Sequence, residues 1–351
     1  MAERIPTDLA AGTQRFAPGS PRVLVAGATG FAGALAAHLL WRHPGFELSA
    51  VTGRSEVGRR LDELYPRYRV PLEIEELALD RHAINLDAAV VAYPHAAAAP
   101  TVAALRERGA RVVDLSADFR LAALDTYEHW YGEHPRPELL AEAVYGLTEL
   151  HRDRIAGAAL VANPGCYPTA AVLGLAPLAR AGLIADVVID AKQGLSGAGR
   201  APSETTHFST SGENIISYKV ACHRHTPEIE EQLALLGADL PVQFQASLVP
   251  LDQGELASCY VTPTRPVAAE ELAELYREAY AHEPFIEVVD IPPGVREVRE
   301  TNFCRILAAA DSHTGKVLVF SAIDNLWKGT SSQAVQNLNV MFGLAETEGL
   351  L

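Results

Sequence analysis

Arg22-Val23-Leu24-Val25-Ala26-Gly27-Ala28-Thr29-Gly30-Phe31-Ala32-Gly33 is the stretch that decides the fold. After Arg22, four apolar residues, two of them β-branched, run straight into glycines, as a strand buried on both faces does. The spacing G-x-x-G-x-x-G then opens a helix expected over Phe31 to Trp41. Glycines there allow a tight turn and a close backbone approach to a pyrophosphate. The helix N-terminus adds free N–H groups and a positive dipole end. A lone glycine motif also marks plain turns, so the flanking strand and helix are what give it weight.

Working outward, Phe46 to Thr52, Asp87 to Ala92 and Arg111 to Leu115 read as further strands. An alanine-rich helix is expected over Ala96 to Arg108. This alternation predicts an α/β, Rossmann-type domain with a parallel sheet. The second strand ends in Thr52-Gly53-Arg54-Ser55, without the acid that commonly holds a ribose 2′-hydroxyl. An arginine flanked by hydroxyls suits the 2′-phosphate of NADP(H). A solvated loop arginine is the plain alternative.

From Ser116 to Leu150 the rhythm is lost, and long functional loops are expected. Beyond Ala159-Leu160-Val161-Ala162, strands at Val187 to Ala191, Val242 to Val249, Ser258 to Thr262 and Val317 to Ile323 predominate. Helices are expected over Thr169 to Ala181, Pro227 to Leu236 and Ala268 to Ala281, with a last one over Ser332 to Leu344. That pattern predicts an α+β catalytic and oligomerisation domain on a mixed or antiparallel sheet.

The chain has 351 residues, more than one core usually organises, so two domains are expected. Its formal net charge of −15 argues against nucleic acid as a partner. No apolar run is long enough for a membrane span. Residues 1–21 lack a signal-peptide core and read as a poorly ordered leader. The four cysteines, Cys166, Cys222, Cys259 and Cys304, are widely spaced. They read as reduced thiols in a cytoplasmic protein, and no metal site is expected.

Cys166 follows a buried strand in Asn163-Pro164-Gly165-Cys166-Tyr167-Pro168-Thr169. The Pro-Gly turn and the helix after it place its sulfur at a helix N-terminus, which is expected to lower its pKa. The other three lie in strand-like settings and read as small buried hydrophobes. His223-Arg224-His225 precedes Thr226-Pro227-Glu228. If it ends a strand, both imidazoles share one face. An isolated H-x-H fits an acid–base group, a metal pair or a polar edge. Ser116 and Arg120, just past a strand end, read as anion ligands. Gly194-Leu195-Ser196-Gly197-Ala198-Gly199-Arg200 reads as a second glycine-rich anion nest.

Together these blocks resemble the N-acetyl-γ-glutamyl-phosphate reductases of arginine biosynthesis, in the group that includes aspartate-semialdehyde dehydrogenase. The resemblance covers about Pro21 to the C-terminus. It rests on Val161 to Thr169, Asp114 to Arg120, Val144 to Leu147, His223 to Ile229, Thr301 to Cys304 and Asp324 to Gly329, in that family's order. Two departures stand out: Ser332 replaces the glycine expected before Gln333, and Tyr93 replaces a more usual leucine.

The resemblance implies Cys166 as nucleophile toward an acyl phosphate and His225, or else His223, as proton carrier. It implies NADP(H) held by Gly27, Thr29, Gly30, Phe31, Gly33, Thr52, Arg54, Ser55, Pro94, Ser196, Gly197 and Asn325. Substrate would be held by Ser116, Arg120, Asn163, Ser196, Arg200 and Lys219. It implies a homodimer or homotetramer, with residues 22–165 and 328–351 as the NADP-binding domain and 166–327 as the catalytic domain. Rival readings are an aspartate-semialdehyde dehydrogenase, a reductase of carrier-protein-linked acyl phosphates, and a non-catalytic NADP-binding sensor.

Overall fold

The computed structural model describes residues 13–351. The described residues form two compact units, one comprising 13–119, Pro135–Asn163 and Ala334–Leu351, the other Arg120–His134 and Pro164–Gln333.

The first unit is built on β1 (Arg22–Ala26), β2 (Glu47–Thr52), β3 (Ile74–Glu75), β4 (Ala88–Val91), β5 (Arg111–Asp114), β6 (Val144–Tyr145) and β7 (Leu160–Ala162). Every pairing is parallel, in the order β3-β2-β1-β4-β5-β7-β6. Val23 to Ala26 and all of β4 are buried, as strands covered on both faces must be. Strand order reverses between β1 and β4, the crevice where open sheets bind ligands. The helix Phe31–Arg42 follows β1 directly and turns Leu35, Ala36, Leu39 and Leu40 into the core.

The second unit carries β8 (Ile184–Gln193), β9 (Ile216–Tyr218), β10 (Gln243–Leu248), β11 (Glu255–Pro263), β12 (Ile286–Val288), β13 (Cys304–Ala310) and β14 (Val317–Ile323). Their order is β12-β13-β14-β11-β8-β10-β9, a mixed sheet in which β10–β8 and β12–β13 are parallel and the other pairs antiparallel. The helix Cys166–Arg180 is apolar nearly all round and buried from Tyr167 to Ala179. Leu173, Leu175 and Leu178 are wholly enclosed, each stabilising the unit by about 2 kcal/mol.

Several expectations need correcting. Residues 1–12 of the expected leader lie outside the described residues, but 13–21 are tied down. Gln14 Nε2 donates to Phe46 O at 3.1 Å and Ala17 N to Pro44 O at 3.2 Å. Residues 120–134, expected in the first domain, pack in the second unit, where Ala122 N donates to Glu231 and Tyr131 Oη to Arg224 O. This segment is not simply loop. It forms the helix Leu124–Tyr131, whose Tyr127 is fully buried and stacks on Tyr131 at 5.0 Å. Residues 328–333 also belong to the second unit, through Ser332 Oγ to Asn302 (2.6 Å) and Gln333 Nε2 to Thr169 (3.1 Å). Ser332 thus gains a side-chain partner that a glycine would lack. Cys222 lies in an exposed turn rather than a strand.

Candidate active site

In the first unit the glycine loop is shaped by close approach. Gly27 has φ +92°, and a Cβ there would sit 2.6 Å from Ala92 O. A Cβ on Gly33 would meet Gly27 O at 2.3 Å, so strand and helix touch backbone to backbone. Around Gly30 only Gly27 O lies within 4 Å, at 3.8 Å, leaving room beside the helix N-terminus. Thr29 O accepts from Tyr65 Oη at 2.9 Å, and the Phe31 ring meets Tyr65 edge to face. At the end of β2, Thr52 is buried and its Oγ1 has no partner.

Arg54 leaves this strand end with its guanidinium 4.7 Å from the Tyr93 ring centroid. Its Nη2 donates to Ala97 O at 3.4 Å. Arg54 and Tyr93 line a cavity of about 440 Å³ with Gly53, Val57, Glu76 and Thr101 among its walls. The tyrosine that departs from the family pattern is therefore the surface on which the candidate phosphate-binding arginine rests. Ser55 is exposed beside it, and Pro94 follows Tyr93 with its carbonyl accepting from Ala97 N and Ala98 N.

Ser116 and Asn163 both belong to the first unit. Ser116 Oγ donates to Asp114 at 2.5 Å and accepts from Asp118 N at 3.0 Å. Asn163 is fully buried, its Oδ1 accepting from Asn337 Nδ2 at 3.1 Å. Both hold loops in shape.

In the second unit, Cys166 starts its helix behind Gly165, which caps it with extended backbone. Gly329 passes so close that a Cβ on it would lie 2.8 Å from Cys166 Cβ. Gln193, the last residue of β8, donates from Nε2 to Cys166 Sγ at 2.9 Å. The expected drop in the thiol's pKa is not what the surroundings produce. Burial and the Glu255 carboxyl push it well above its usual value, outweighing Gln193 and the Tyr167 backbone. A thiolate here needs a proton acceptor.

The histidines sit in a turn between β9 and the helix Thr226–Leu235, not at a strand end. His225 caps that helix, and a Cβ on Gly165 would be 2.6 Å from its Nε2. Its Nδ1 is buried without a partner. His223 Nδ1 accepts from His225 N at 3.1 Å, and its Nε2 lies 3.4 Å from Tyr218 Oη. Tyr218 Oη in turn donates to Tyr167 Oη at 3.1 Å. Burial, then the Lys219 and Arg224 charges, lower His223 to about 4. Burial, His223 and Arg120 hold His225 well below its ordinary value. Both imidazoles are thus neutral near pH 7.

Cys166, Gln193, Tyr218, Lys219, His223 and His225 face a common cavity of about 380 Å³. Gly197 also lines it. Arg200, at the end of that loop, is exposed. Ser196 and Asn325 are linked: Ser196 Oγ donates to Asp252 O (2.6 Å), Asn325 Nδ2 to Ser196 Oγ (3.0 Å), and Gly254 N to Asn325 Oδ1 (2.8 Å). Arg120 pairs with Glu228, buried, at 3.4 Å.

Sequence reading missed Glu228, Gln193 and Glu255. Glu228 had a signal, lying three residues after His225 in the first helical turn. Gln193 and Glu255 are opposite each other on β8 and β11, a pairing no local spacing reveals.

Comparisons agree with this architecture. Residues 22–158 match the family described as semialdehyde dehydrogenase, NAD binding domain. Residues 166–325 match its semialdehyde dehydrogenase, dimerisation domain. The chain is 48% identical over 340 residues to the N-acetyl-gamma-glutamyl-phosphate reductase of Desulforudis audaxviator, covering 94% of this chain and 98% of that protein. It is 47% identical over 336 residues to the protein of that name from Moorella thermoacetica, covering 93% and 96%. Aspartate semialdehyde dehydrogenase II of Vibrio cholerae has the same fold, with TM-score 0.72, 18% identity, and coverage of 92% of this chain and 99% of that one.

Proposed function

The chain belongs to the N-acetyl-gamma-glutamyl-phosphate reductases within the semialdehyde dehydrogenase family, and from that premise we propose that it reduces N-acetyl-L-glutamyl 5-phosphate to N-acetyl-L-glutamate 5-semialdehyde and phosphate, in arginine biosynthesis. The single observation that carries the reading is Cys166. It stands at a helix start, bonded by Gln193 and facing a cavity shared with two neutral histidines.

The first unit suits NADPH. Gly27 and Gly33 allow a close backbone approach, Gly30 leaves a helix N-terminus open, and the cavity beside Arg54 offers a cation for a 2′-phosphate. When bound, the reduced nicotinamide supplies the hydride that converts the acyl group to an aldehyde. The chain's own residues do the rest. The Cys166 sulfur attacks the acyl carbon and phosphate leaves, giving a thioester on Sγ. Glu228 anchors the turn by accepting from Gly165 N, which fixes the start of the Cys166 helix. His225, beside Gly165, is the group placed to protonate and deprotonate the carbonyl oxygen as the acyl group is reduced. Lys219 and Gly197 line the cavity where the substrate's anionic groups would lie.

We place the enzyme in the cytoplasm as a homodimer or homotetramer. All four cysteines are free, as a thiol mechanism in a reducing compartment requires. Among the described residues no helix is long and apolar enough to cross a membrane.

The test is nicotinamide absorbance with NADPH and either N-acetylglutamyl phosphate or aspartyl phosphate. Oxidation with the first supports the reading. Turnover with aspartyl phosphate alone overturns it.

A further inference from the structure

The Cys166 thiol must give up its proton for the sulfur to attack. Glu255, the first residue of β11, is fully buried. It lies opposite Gln193 across β11 and β8, so both side chains leave the sheet on one face. From that face Gln193 donates to Sγ, and the Glu255 carboxyl comes close enough for it and the thiol to alter each other's proton affinity. Neither Glu255 oxygen has a hydrogen-bond partner. A buried carboxyl without donors is costly, and such a group in a reactive site calls for a reason. Among the described residues, the ionisable groups acting on it are Cys166 and, past the end of β14, Asp324, another acid.

We propose that Glu255 takes the proton of the Cys166 thiol as the acyl phosphate is attacked, and returns it when the thiol is regenerated. The inference rests on the acyl-phosphate reading above. In the first step the S–H bond breaks, its proton passes to the carboxylate, and the sulfur electron pair forms the C–S bond. The C–O bond to phosphate breaks, and phosphate takes up the one proton that the net reaction consumes. When the reduced acyl group departs as aldehyde, the C–S electron pair returns to sulfur and Glu255 gives back its proton. The neighbouring imidazoles are weaker bases than this carboxylate, with His223 lowered to about 4. Burial raises Glu255 to about 8, which brings its basicity near that of a thiol. The pair titrates as a unit.

A merely repulsive carboxylate predicts the opposite outcome, and this makes the test sharp. Cys166 alkylation by iodoacetamide, followed by intact and peptide mass across pH, needs neither substrate nor cofactor. In the unmodified enzyme the rate should rise through a midpoint near pH 8. In Glu255→Gln it should fall at least ~10-fold near that pH, with the midpoint displaced upward, and Glu255→Asp should recover part of the loss. Equal or faster alkylation in Glu255→Gln, or a lower midpoint, overturns the proposal. If that variant does not fold, the unmodified enzyme still decides, because a profile without a midpoint between about pH 7 and 9 also overturns it. In turnover, Glu255→Gln should lose ~10²-fold in kcat/KM while NADPH affinity is unchanged. An unmodified enzyme that ignores N-acetylglutamyl phosphate sinks the substrate reading, while the alkylation result still judges Glu255.

Discussion

Glu228 joins Gly165 and Arg120: one carboxylate oxygen accepts from Gly165 N at 2.8 Å, the other lies 3.4 Å from Arg120 Nη1. A buried ion pair thereby anchors the turn that presents Cys166. Breaking a buried pair by removing one member is destabilising by about 3 kcal/mol. Glu228→Ala should lower unfolding stability by that order, read by urea titration, and reduce kcat as the turn loosens. Unchanged stability and rate would mean that the anchor is unimportant.

Cys166→Ser keeps the helix start but replaces a good nucleophile with a poor one. Turnover should fall by ~10³-fold or more while NADPH affinity, measured by fluorescence titration, stays within about twofold. Substantial residual activity would rule out the covalent route.

Arg54→Ala should weaken NADPH by ~10-fold or more, the size of a lost charge-assisted contact, and leave NADH almost unchanged. Equal losses for both cofactors would remove the 2′-phosphate assignment. Tyr93→Leu restores the residue more usual in the family and takes away the ring under the guanidinium. A loss of ~2–5-fold for NADPH is expected from a cation–π contact.

The stability of the second unit should bend with pH from two directions. His223 is lowered to about 4 in the fold, so the unfolded chain binds more protons between that value and about 6.5. Stability therefore falls as pH drops through this window, by roughly 3 kcal/mol for the full shift of this nearly enclosed side chain. Glu255 works the other way. Raised to about 8, it holds its proton in the fold when the unfolded chain has lost it, so stability declines as pH rises from about 4.5 to 8. Thermal melts of His223→Gln and Glu255→Gln should flatten the acid and the neutral-to-alkaline limbs respectively. Unaltered profiles would deny these groups their part.

The first unit was largely legible because its signals are local. The β1 run, Gly27 to Gly33 and the Thr52-Gly53-Arg54-Ser55 strand end all lie within a few residues of the structure they specify. β3 and β6, two residues each, are too short for periodicity to register. The helix Leu124–Tyr131 was hidden because its aromatics, which read as loop, pack on one another instead. At the site, Cys166 could be found from its turn, but its proton affinity could not. The helix N-terminus is visible in sequence, whereas burial and Glu255 act from across the sheet. Ser116 and Ser196 read as anion ligands from their strand-end and glycine-loop settings, and Asn163 and Asn325 as site residues only through the family resemblance. Their hydrogen-bond partners, from Asp114 to Gly254, come from loops that no local spacing reveals.

The most direct measurement is the intact mass of the enzyme mixed with N-acetylglutamyl phosphate before and after NADPH is added. The account predicts an N-acetylglutamyl adduct on the Cys166 peptide that accumulates without NADPH, then disappears as aldehyde is released. No adduct on Cys166 under turnover conditions, or an adduct that NADPH does not discharge, would contradict it.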